Sequence, residues 1–362
     1  MNVTQMNLKK VINASGKMSI LGVSTISDDV LEAMKIGASN YYEMDQLYEE
    51  SGKIVSQYMG TENAVITNSA SAAIALAVAG FVTKGDTYSV ERLPSLPLTK
   101  EIIIMKGHII DYGAPVSTMI QLGRGLVKEV GYANGCSLQQ IEAAITEQTI
   151  GIMFIKSHHT VQKNMPNLQD VSKLAYQNQI PFILDIAAEG NIAGYAELAD
   201  VIIVSGSKAI EGPTSGILAG RKKYVTFAKQ HLQGIGRAMK IGKESILGLL
   251  KALENFTEHK MSEQEQLLIL KWLMELEKIN GVKVSVHQDE SGREIYRARI
   301  HIDETSTKLS AVELTKSLRN GNIAIYTRDY YANIGYFDID PRALSRQDVE
   351  YIVTRIKQLL GV

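Results

Sequence analysis

The chain has 362 residues, 45% of them hydrophobic, which is enough to bury a sizeable core in one large and one smaller domain. Its 38 basic and 39 acidic residues nearly balance, so the composition gives no general attraction for nucleic acid or for an anionic membrane. The N-terminal segment lacks the pattern of a signal peptide, and no apolar run approaches the ~18 residues of a membrane-spanning helix. We therefore expect a cytoplasmic enzyme that binds neither nucleic acid nor a membrane.

Two amphipathic helices are predicted over residues 28–60, with an interruption near 37–42. The sequence AVITN (64–68) predicts a short buried strand, followed by a turn and helix cap at Ser69 to Ser71 and then by an apolar helix. Further strand-like runs lie at 102–105, 150–156, 181–186 and 199–205, and helical periodicity lies between them at 137–147 and 167–179. This alternation predicts a mostly parallel sheet with helices on both faces.

The single cysteine, Cys136, lies between these elements. It cannot form an intrachain disulfide, and no second sulfur lies nearby in the sequence to complete a metal site. We interpret Cys136 as a structural thiol and predict no bound metal.

After about residue 245 the pattern changes to a long helical stretch that runs through Lys271 and Trp272. Two alternating strands follow, KVSVHQ and EIYRARIHI, and then a helix at 311–321, a strand at 322–328 and a closing helix at 346–360. These elements predict a smaller α+β domain. We expect an N-terminal arm and helices over 1–50, a large domain over 51–250 and a small domain over 251–362, with the boundary between the last two inside a continuous helix.

Three polar features follow predicted strands in an order that fits one cofactor. Asn68 to Ser71 form a polar turn, Asp185 ends an apolar strand, and Lys208 follows the next strand. A turn at a helix N-terminus can bind a phosphate through its N–H groups and hydroxyls. A carboxylate can keep a pyridine nitrogen protonated, and an amine can bind an aldehyde and later transfer a proton. Together these features predict pyridoxal 5'-phosphate as the cofactor.

Each feature also has an ordinary explanation. An aspartate after a strand is often a solvated loop residue, Ser69 to Ser71 could only cap a helix, and most lysines are surface charges. The order of the three features favours the cofactor. So do the glycine-rich turn and the short strand GILAG that follow Lys208.

Four segments carry a family resemblance: VINASG (11–16), MGTENAVITNSASAAIALA (59–77), SGSKAIEGPTSGILAGRK (205–222) and GRAMKIGKESILGLLKAL (236–253). They resemble fold-type I pyridoxal-phosphate-dependent enzymes, and among these the group related to bacterial selenocysteine synthase, the L-seryl-tRNA(Sec) selenium transferase. The lysine segment with its Gly-Pro turn is the most specific of the four. The resemblance implies a fold-type I transferase fold, with the mostly parallel sheet in the large domain.

The resemblance also implies roles for individual residues. Lys208 would hold the cofactor, and Asp185 would pair with its ring nitrogen. The residues that it implies around the phosphate are Ser69, Ala70, Ser71 and Ser205. It further implies a homodimer or larger homo-oligomer, and the residues that would reach a neighbouring subunit's cofactor site are Tyr41, Tyr42 and Thr214.

Three more segments, 106–135, 184–192 and 327–344, resemble the branch of D-glucosaminate-6-phosphate ammonia-lyases. This branch implies a β-elimination in which Lys208 removes the Cα proton, the C3 hydroxyl leaves, and a 2-oxo-3-deoxy acid and ammonia are formed. The chain also starts near the catalytic domain, without the N-terminal extension that the selenium transferase uses to grip tRNA. We therefore expect a small phosphorylated amino acid or amino sugar acid as substrate.

The leaving hydroxyl needs a proton, which Lys208 or His108 could supply. His108 could instead stack on the cofactor ring or cap a turn, and the three roles stay open. His158 and His159 begin a loop at the strand edge where parallel sheets bind ligands, so either could face the cofactor or be an ordinary loop residue.

A substrate with a carboxylate and a phosphate suits the planar fork of arginine. The basic candidates for its two anionic ends are Arg237, Lys240, Lys243 and Arg328. Arg328 ends a strand of the small domain, which in many fold-type I enzymes contributes a carboxylate-binding arginine. For each of the four, a surface ion pair is the alternative.

Two other functions fit the same cofactor. A selenium or sulfur transferase acting on seryl-tRNA would bind RNA in a salt-sensitive way. A non-catalytic pyridoxal-phosphate-binding protein would keep the fold without turnover, and the intact pair of Lys208 and Asp185 speaks against it.

Overall fold

A computed structural model of the chain describes residues 6–256, 261–289 and 292–362. They form two compact units: a larger unit of residues 24–256, and a smaller unit of residues 6–23 together with 261–362. The chain thus starts in the smaller unit and returns to it. The division into 1–50, 51–250 and 251–362 stays a prediction.

Strand β1 (Val11–Ala14) belongs to the smaller unit, and the chain then enters the larger unit. The strands of the larger unit are β2 (Asn63–Thr67), β3 (Glu101–Met105), β4 (Leu126–Val130), β5 (Thr149–Ile155), β6 (Phe182–Asp185), β7 (Val201–Ser205) and β8 (Gly216–Gly220). Its helices are α1 (Asp28–Ser39), α2 (Met44–Met59), α3 (Ala70–Thr83), α4 (Thr87–Glu91), α5 (Val116–Leu122), α6 (Leu138–Ala143), α7 (Leu168–Gln177), α8 (Lys222–Gln230) and α9 (Lys243–Glu254). Three 3-10 turns lie at Leu93–Ser95, Lys106–His108 and Ile235–Met239.

The seven strands form one sheet in the order β2-β8-β7-β6-β5-β3-β4. All neighbouring pairs are parallel except the two that involve β8, which runs antiparallel to β2 and to β7. Alternate residues of the strands enter two different hydrophobic clusters, as Ile103 and Ile152 do on one face and Ile102 and Met153 on the other. The predicted mostly parallel sheet, buried on both faces, is therefore confirmed.

The parallel direction of β2, β3, β5, β6 and β7 brings their carboxyl ends to one edge of the sheet. The antiparallel strand β8 starts at that same edge, because its first residue, Gly216, pairs with both Thr67 and Ser205. In open parallel sheets this is the edge at which ligands bind. The polar residues that follow these strands are thereby placed close together.

The smaller unit has two sheets. Strand β1 pairs in parallel with β11 (Ala324–Thr327), and β9 (Val282–Gln288), β10 (Tyr296–Ile302) and β12 (Tyr336–Ile339) form an antiparallel sheet in the order β12-β10-β9. Its helices are α10 (Glu263–Lys271), α11 (Glu304–Thr307), α12 (Ala311–Arg319) and α13 (Arg346–Leu360), with 3-10 turns at Ser19–Leu21, Trp272–Lys278, Ala332–Ile334 and Pro341–Ala343. The strand and helix predicted at 322–328 and 346–360 are confirmed.

The long helical stretch expected after residue 245 is two helices. Helix α9 ends at Glu254 with Asn255 at its C-cap, and α10 begins at Glu263 after Ser262, whose side chain forms a capping box with Glu265. A polar residue thus ends α9 and another begins α10, so the two helices are separate. The boundary expected between residues 250 and 251 falls inside α9 and stays a prediction, and residues 257–260 lie outside the described residues. Within the described part of the chain, no helix has the length and apolarity needed to cross a membrane.

Gly216 fixes the contact between β8 and the start of α3. A Cβ atom on Gly216 would lie 2.3 Å from the carbonyl carbon of Ser69 and 2.5 Å from the nitrogen of Ala70. Both neighbours are backbone atoms, which cannot rotate away. Only glycine lets the N-terminus of α3 approach the sheet this closely.

We predict that Gly216→Ala destabilises the protein by roughly 2–4 kcal/mol, because the backbone of the turn before α3 must move to admit the methyl group. Chemical denaturation measures this change in the free energy of unfolding. Gly194→Ala is the matched control, since the nearest atom to its Cβ would be a side-chain nitrogen of the exposed Asn191 at 3.2 Å. Equal stability of the two variants would contradict the prediction.

Candidate active site

The N-terminus of α3 lies at the ligand-binding edge of the larger unit. Ser69 is the N-cap, and its Oγ accepts a hydrogen bond from the N–H of Ala72 at 3.1 Å. Among the described residues the N–H groups of Ala70 and Ser71 have no acceptor, since neither forms a cap or turn hydrogen bond. Two backbone donors at the positive end of a 14-residue helix form a suitable site for a phosphate.

Asp185 ends β6 and is 6% exposed. Its Oδ1 accepts a hydrogen bond from the N–H of Ala187 at 2.8 Å. Burial raises the pKa of this carboxyl group, while the hydrogen bond from Ala187 and the positive charge of Lys208 act in the opposite direction. A carboxylate in this position favours a cationic neighbour.

Lys208 lies in a tight turn between β7 and β8. The N–H of Glu211 donates to the carbonyl of Lys208 at 3.2 Å, and the N–H of Gly212 donates to the carbonyl of Gly206 at 2.8 Å. The residue before the lysine is also held, because the hydroxyl of Ser24 donates to the carbonyl of Ser207 at 2.7 Å. The backbone that carries Lys208 is therefore fixed from both sides.

Lys156 is a second lysine at the same edge, directly after β5. Its Nζ forms an ion pair with the buried carboxylate of Glu189 and donates to the hydroxyl of Tyr195 at 3.0 Å. Burial lowers the pKa of Lys156, but its hydrogen bonds to Glu189 and Tyr195 outweigh that effect and raise it. A lysine held as a cation in this way is a poor base. Lys156 is therefore a poor candidate for covalent and proton-transfer chemistry, and Lys208 stays the predicted residue.

Ser205, predicted near the phosphate, ends β7 and is buried. Its hydroxyl lies 3.3 Å from that of Ser207. Gly216 pairs with Ser205 and contacts Ser69, so the two serines lie on either side of one glycine. The structure thus brings Ser205 to the region of the α3 N-terminus.

His108 is 2% exposed and lies in the 3-10 turn after β3. Its Nδ1 accepts a hydrogen bond from the N–H of Ile155 at 3.1 Å, which places the ring proton on Nε2. The ring packs edge to face against Phe154, with 4.5 Å between the ring centroids. Burial lowers the pKa of His108 to about 4, so the imidazole is neutral at pH 7. The hydrogen bond from Ile155 joins the turn after β3 to the end of β5, and the three possible roles of His108 stay predictions.

Tyr112 was not singled out from the sequence, although it lies in the segment that carries the lyase resemblance. Its hydroxyl oxygen accepts a hydrogen bond from Ser71 Oγ at 3.3 Å. Burial raises the pKa of Tyr112, and the negative charge of Asp185 adds to the effect. Tyr112 is therefore close to both the predicted phosphate site and the predicted ring partner. The sequence offered one signal for Tyr112: it is an aromatic residue that follows shortly after β3, a strand that ends at this edge of the sheet.

The loop after β5 holds the two neighbouring histidines. The His158 and His159 rings lie 3.9 Å apart between centroids, and the N–H of His159 donates to Ser157 Oγ at 3.2 Å. His158 is half-buried and His159 is exposed. Either one could still face a ligand at this edge.

The basic residues predicted to bind substrate are in different surroundings. Arg237 and Lys240 lie in or next to the 3-10 turn Ile235–Met239 and are exposed. Lys243 Nζ donates to the carbonyls of Gly37 and Ala38 at 2.6 and 2.8 Å, so this cation neutralises the C-terminal end of α1. Lys243 is engaged in the fold and is a poor candidate for substrate binding.

The remaining predicted residues lie on the surface or in the smaller unit. Tyr41 is fully exposed, and Tyr42 and Thr214 are also exposed, as residues that reach a neighbouring subunit would be in a single chain. Arg328 lies in the smaller unit, where its Nη1 donates to the carbonyl of Ser15 at 3.3 Å. Cys136 is buried, and burial raises the pKa of its thiol. Within residues 6–256, 261–289 and 292–362, no group of three or more His, Cys, Asp or Glu side chains is placed to hold a metal ion.

The architecture matches solved structures of pyridoxal-phosphate enzymes. Aspartate aminotransferase from Thermus thermophilus, at 15% identity, matches with a TM-score of 0.58 over 97% of this chain and 92% of that one, which shows the fold alone. A solved structure of D-glucosaminate-6-phosphate ammonia-lyase matches with a TM-score of 0.90 and 41% identity over 100% of this chain and 98% of that one. The chain therefore has the fold-type I, aminotransferase-like fold, as the sequence predicted.

The beta-eliminating lyase family model matches residues 21–291, and the chain belongs to that family. D-glucosaminate-6-phosphate ammonia lyase of Salmonella typhimurium (strain 14028s / SGSC 2262) is 42% identical over 98% of this chain and 96% of its own length. A 5'-C-glycyluridine monooxygenase-decarboxylase of a Streptomyces species is 35% identical over 99% and 92%. An L-seryl-tRNA(Sec) selenium transferase of Clostridium perfringens (strain ATCC 13124) is 27% identical over 98% and 83%. The predicted lyase class and the selenium-transferase-like resemblance are confirmed, and the fold and family are those of pyridoxal-phosphate-dependent enzymes.

We predict that the protein loses stability on acidification through the titration of His108. Its pKa is about 4 in the folded protein and about 6.5 in the unfolded chain, so the unfolded state binds the extra proton between these values. The stabilisation is fully present above pH 6.5 and is lost as the pH falls towards 4, by roughly 3 kcal/mol. Urea unfolding at a series of pH values should show a shallower pH dependence for His108→Asn, whose amide oxygen can still accept from Ile155. Parallel pH dependences for the two proteins would contradict this prediction.

Proposed function

We propose that this protein releases ammonia from a phosphorylated 2-amino-3-hydroxy acid, D-glucosaminate 6-phosphate or a close relative, with pyridoxal 5'-phosphate bound at the edge where β2, β6 and β7 end. The observation that carries the proposal is the buried carboxyl group of Asp185, within electrostatic reach of Lys208 and on the same sheet edge as the start of α3. The name of the relative that is 42% identical supports the choice of substrate.

The cofactor's phosphate would bind at the N-terminus of α3. The N–H groups of Ala70 and Ser71 are available there, and Ser69 already caps the helix through Ala72. The hydroxyls of Ser71 and Ser205 add donors, and Tyr112 is held beside the same turn by its hydrogen bond to Ser71. A dianion is the group that this set of donors fits.

The pyridine nitrogen would pair with Asp185. A buried carboxyl group with a raised pKa needs a positive partner to stay ionised, and a protonated ring nitrogen supplies one. Such a ring, once bound, withdraws electrons and stabilises negative charge at the substrate's Cα. Asp185 thus keeps the ring protonated, and Ala187 orients the carboxylate through its N–H group.

Lys208 would hold the cofactor covalently and then, when the substrate's amine replaces it, take the proton from Cα. The C3 hydroxyl leaves as water and needs one proton, which Lys208 can return from its new ammonium form. The released enamine tautomerises to an imine, and one water molecule hydrolyses the C=N bond of this imine to give a 2-oxo-3-deoxy acid and ammonia. His108 stays the second candidate for this step, but because its pKa is about 4 it is neutral at pH 7, so its Nε2–H would donate a hydrogen bond to the leaving hydroxyl while Lys208 supplies the proton.

Two anionic ends of the substrate require basic partners. We keep Arg237 and Lys240 as candidates for the phosphate. Both side chains are exposed, and both residues lie in the segment 236–253 that carries the family resemblance. Arg328 stays the candidate for the carboxylate. A homo-oligomer, with Tyr41, Tyr42 and Thr214 at a neighbouring subunit's site, and a cytoplasmic location also belong to this proposal.

We predict that borohydride reduction attaches the cofactor irreversibly to Lys208. Peptide mapping by mass spectrometry would locate the label, and Lys208→Ala should abolish turnover without loss of fold. Lys156→Ala serves as the comparison because Lys156 follows a neighbouring strand but is paired with Glu189. A label on Lys156 or on any other lysine would overturn the assignment.

We predict that Asp185→Asn keeps the cofactor but lowers kcat by about 100-fold or more, because an amide cannot keep the ring nitrogen protonated. The visible absorbance of the purified variant reports cofactor retention, and ammonia release reports turnover. Undiminished activity in a cofactor-loaded variant would remove Asp185 from the reaction.

The substrate is tested by ammonia release from phosphorylated and unphosphorylated 2-amino-3-hydroxy acids. We expect efficient turnover of D-glucosaminate 6-phosphate, and we expect Arg237→Ala to discriminate less between the two classes if Arg237 meets the phosphate. Arg328→Ala should impair both classes alike. Arg221→Ala is the matched control, because Arg221 is an exposed arginine paired with Asp200 at 3.0 Å.

Two further measurements, an assay with seryl-tRNA and a measurement of oxygen uptake, could redirect the proposal. Turnover of seryl-tRNA with none of any free amino sugar acid would favour a transferase. Consumption of oxygen with the substrate would favour chemistry like that named for the 35% identical relative.

A further inference from the structure

Lys156 and Glu189 form an ion pair beside Asp185 at the ligand-binding edge of the larger unit. Lys156 directly follows β5, and Glu189 lies four residues after Asp185, the last residue of the neighbouring strand β6. Glu189 is 5% exposed, and among the described residues Lys156 is the side chain that pairs with its carboxylate. The lysine Nζ also donates to the hydroxyl of Tyr195 at 3.0 Å. The ion pair thus joins the end of β5 to the turn that follows β6.

The main chain of Asp185 is fixed by the strands on both sides. The N–H of Lys156 donates to the carbonyl of Asp185 at 2.9 Å, and the N–H of Ile186 donates to the carbonyl of Ile203 in β7 at 2.9 Å. The carboxylate of Asp185 is held differently, because its Oδ1 accepts from the N–H of Ala187 at 2.8 Å, and this donor lies beyond the strand. The orientation of the carboxylate therefore depends on the conformation of the turn after β6.

This turn, residues 186–189, is fastened at its far end by Glu189. The N–H of Glu189 donates to the carbonyl of Ile186 at 3.0 Å, and its side chain pairs with Lys156. A buried carboxylate is stable only while a cation or several donors replace its lost hydration. Without Lys156, the carboxylate of Glu189 would have to move towards water. Because the turn is short, this movement would displace the N–H of Ala187.

We propose that Lys156, through Glu189, is a positioning residue for Asp185. The ion pair holds the turn 186–189 in the conformation that keeps the N–H of Ala187 on the Asp185 carboxylate. Lys156 takes no part in the covalent or proton-transfer steps and acts on them only through Asp185. The effect on the reaction rests on the proposed function, in which Asp185 pairs with the ring nitrogen. The effect on the turn does not.

The hydrogen bond from Ala187 also affects the charge of Asp185. Burial raises the pKa of this carboxyl group, and the contacts that lower it are, in order of size, the hydrogen bond from Ala187 and the charge of Lys208. Tyr112, in the loop after β3, is a further titratable group that interacts with it. If the N–H of Ala187 moves away while Lys208 and Tyr112 stay in place, the pKa of Asp185 rises. A protonated carboxyl group cannot keep a ring nitrogen protonated.

The turn is tested in the full-length protein as purified, by amide hydrogen exchange. Mass spectrometry of overlapping peptides over 182–190 follows the N–H of Ala187, and Asp185→Ala gives its exchange rate without the acceptor. Lys156→Met keeps the apolar stem of the lysine and removes its charge. We expect it to speed the exchange of this N–H by about 10-fold, the effect of losing one hydrogen bond to a charged group. Lys156→Arg keeps the cation and should restore slow exchange.

Lys128→Met is the matched control. Lys128 of β4 forms a comparable ion pair with Glu101 of β3, at 2.9 Å, and both side chains are partly buried. Glu101 is the first residue of β3, so this pair lies towards the opposite edge of the parallel sheet from Asp185. The control removes one lysine charge from the sheet and leaves the turn 186–189 intact. The exchange of the Ala187 N–H should therefore be unchanged.

The second test uses the cofactor-loaded enzyme and the pH profile of kcat. Activity is lost as the pH falls through the pKa of Asp185, so a raised pKa moves the acidic limb of the profile to higher pH. Lys156→Met should move this limb up by about one pH unit, which lowers kcat about 10-fold at a given pH on the limb. KM should be unchanged, because Asp185 acts on the ring and not on the substrate. Borohydride should still attach the cofactor to Lys208.

Glu189→Gln separates positioning from a direct effect of charge. Lys156→Met removes a positive charge and Glu189→Gln a negative one, so a direct electrostatic effect would move the pKa of Asp185 in opposite directions. Loss of the ion pair loosens the turn in both variants, and both should move the acidic limb to higher pH. The shift should be smaller in Glu189→Gln, because its amide oxygen can still accept from Lys156. This variant leaves no buried charge unpaired and carries the test if Lys156→Met does not fold.

The outcomes separate the positioning role from the proposed function. Unchanged exchange of the Ala187 N–H in Lys156→Met and Glu189→Gln would overturn the role, and so would equally fast exchange in Lys128→Met or acidic limbs that move in opposite directions. Faster exchange together with two upward shifts supports it. If exchange is faster but the unaltered protein releases no ammonia from any of the acids, the proposed function fails and the role of Lys156 in holding the turn stands.

Discussion

The carboxyl group of Asp185 is buried at the end of β6 with one hydrogen bond from the described residues, and the larger unit is arranged around the need to balance it. Removing a carboxylate from water is costly unless a cation or several donors replace the lost hydration. Lys208 supplies a positive charge within electrostatic reach, and the protonated pyridine ring of the proposed cofactor would supply another. This single constraint links the strand, the lysine turn and the proposed cofactor.

The parallel sheet makes the arrangement possible. Because β2, β6 and β7 run in the same direction, the helix N-terminus, the carboxylate and the lysine that follow them meet at one edge. The antiparallel strand β8 enters between two of these strands, and Gly216 leaves room for the backbone before α3 to pack on it. The proposed phosphate site depends on that packing, since backbone N–H groups cannot adjust their positions as side chains can.

The smaller unit buries an excess of positive rather than negative charge. The larger unit buries an acidic group that needs a cation, whereas the smaller unit gathers arginines around Asp289 and Asp340 and leaves a donor of Arg297 unused. Both arrangements bury charge, and buried charge contributes little to stability.

The sequence by itself determined most of the helices and strands, the mostly parallel character of the sheet, and the order in which Asp185 and Lys208 follow their strands, because hydrophobic periodicity and the succession of elements along the chain are local properties. Only the tertiary structure decided which polar side chains are already engaged. From the sequence, Lys243 is a candidate for binding substrate. In the structure it neutralises the C-terminal end of α1, some 200 positions away in the chain. Tyr112 meets Ser71, which lies 41 positions away in the chain. Arg297 meets Asp289 and Asp340 because β9 and β12, the strands that precede these two residues, pair with β10, and no local pattern encodes that pairing. A side chain's partners are set by contacts between distant segments, and these exist only once the chain has folded.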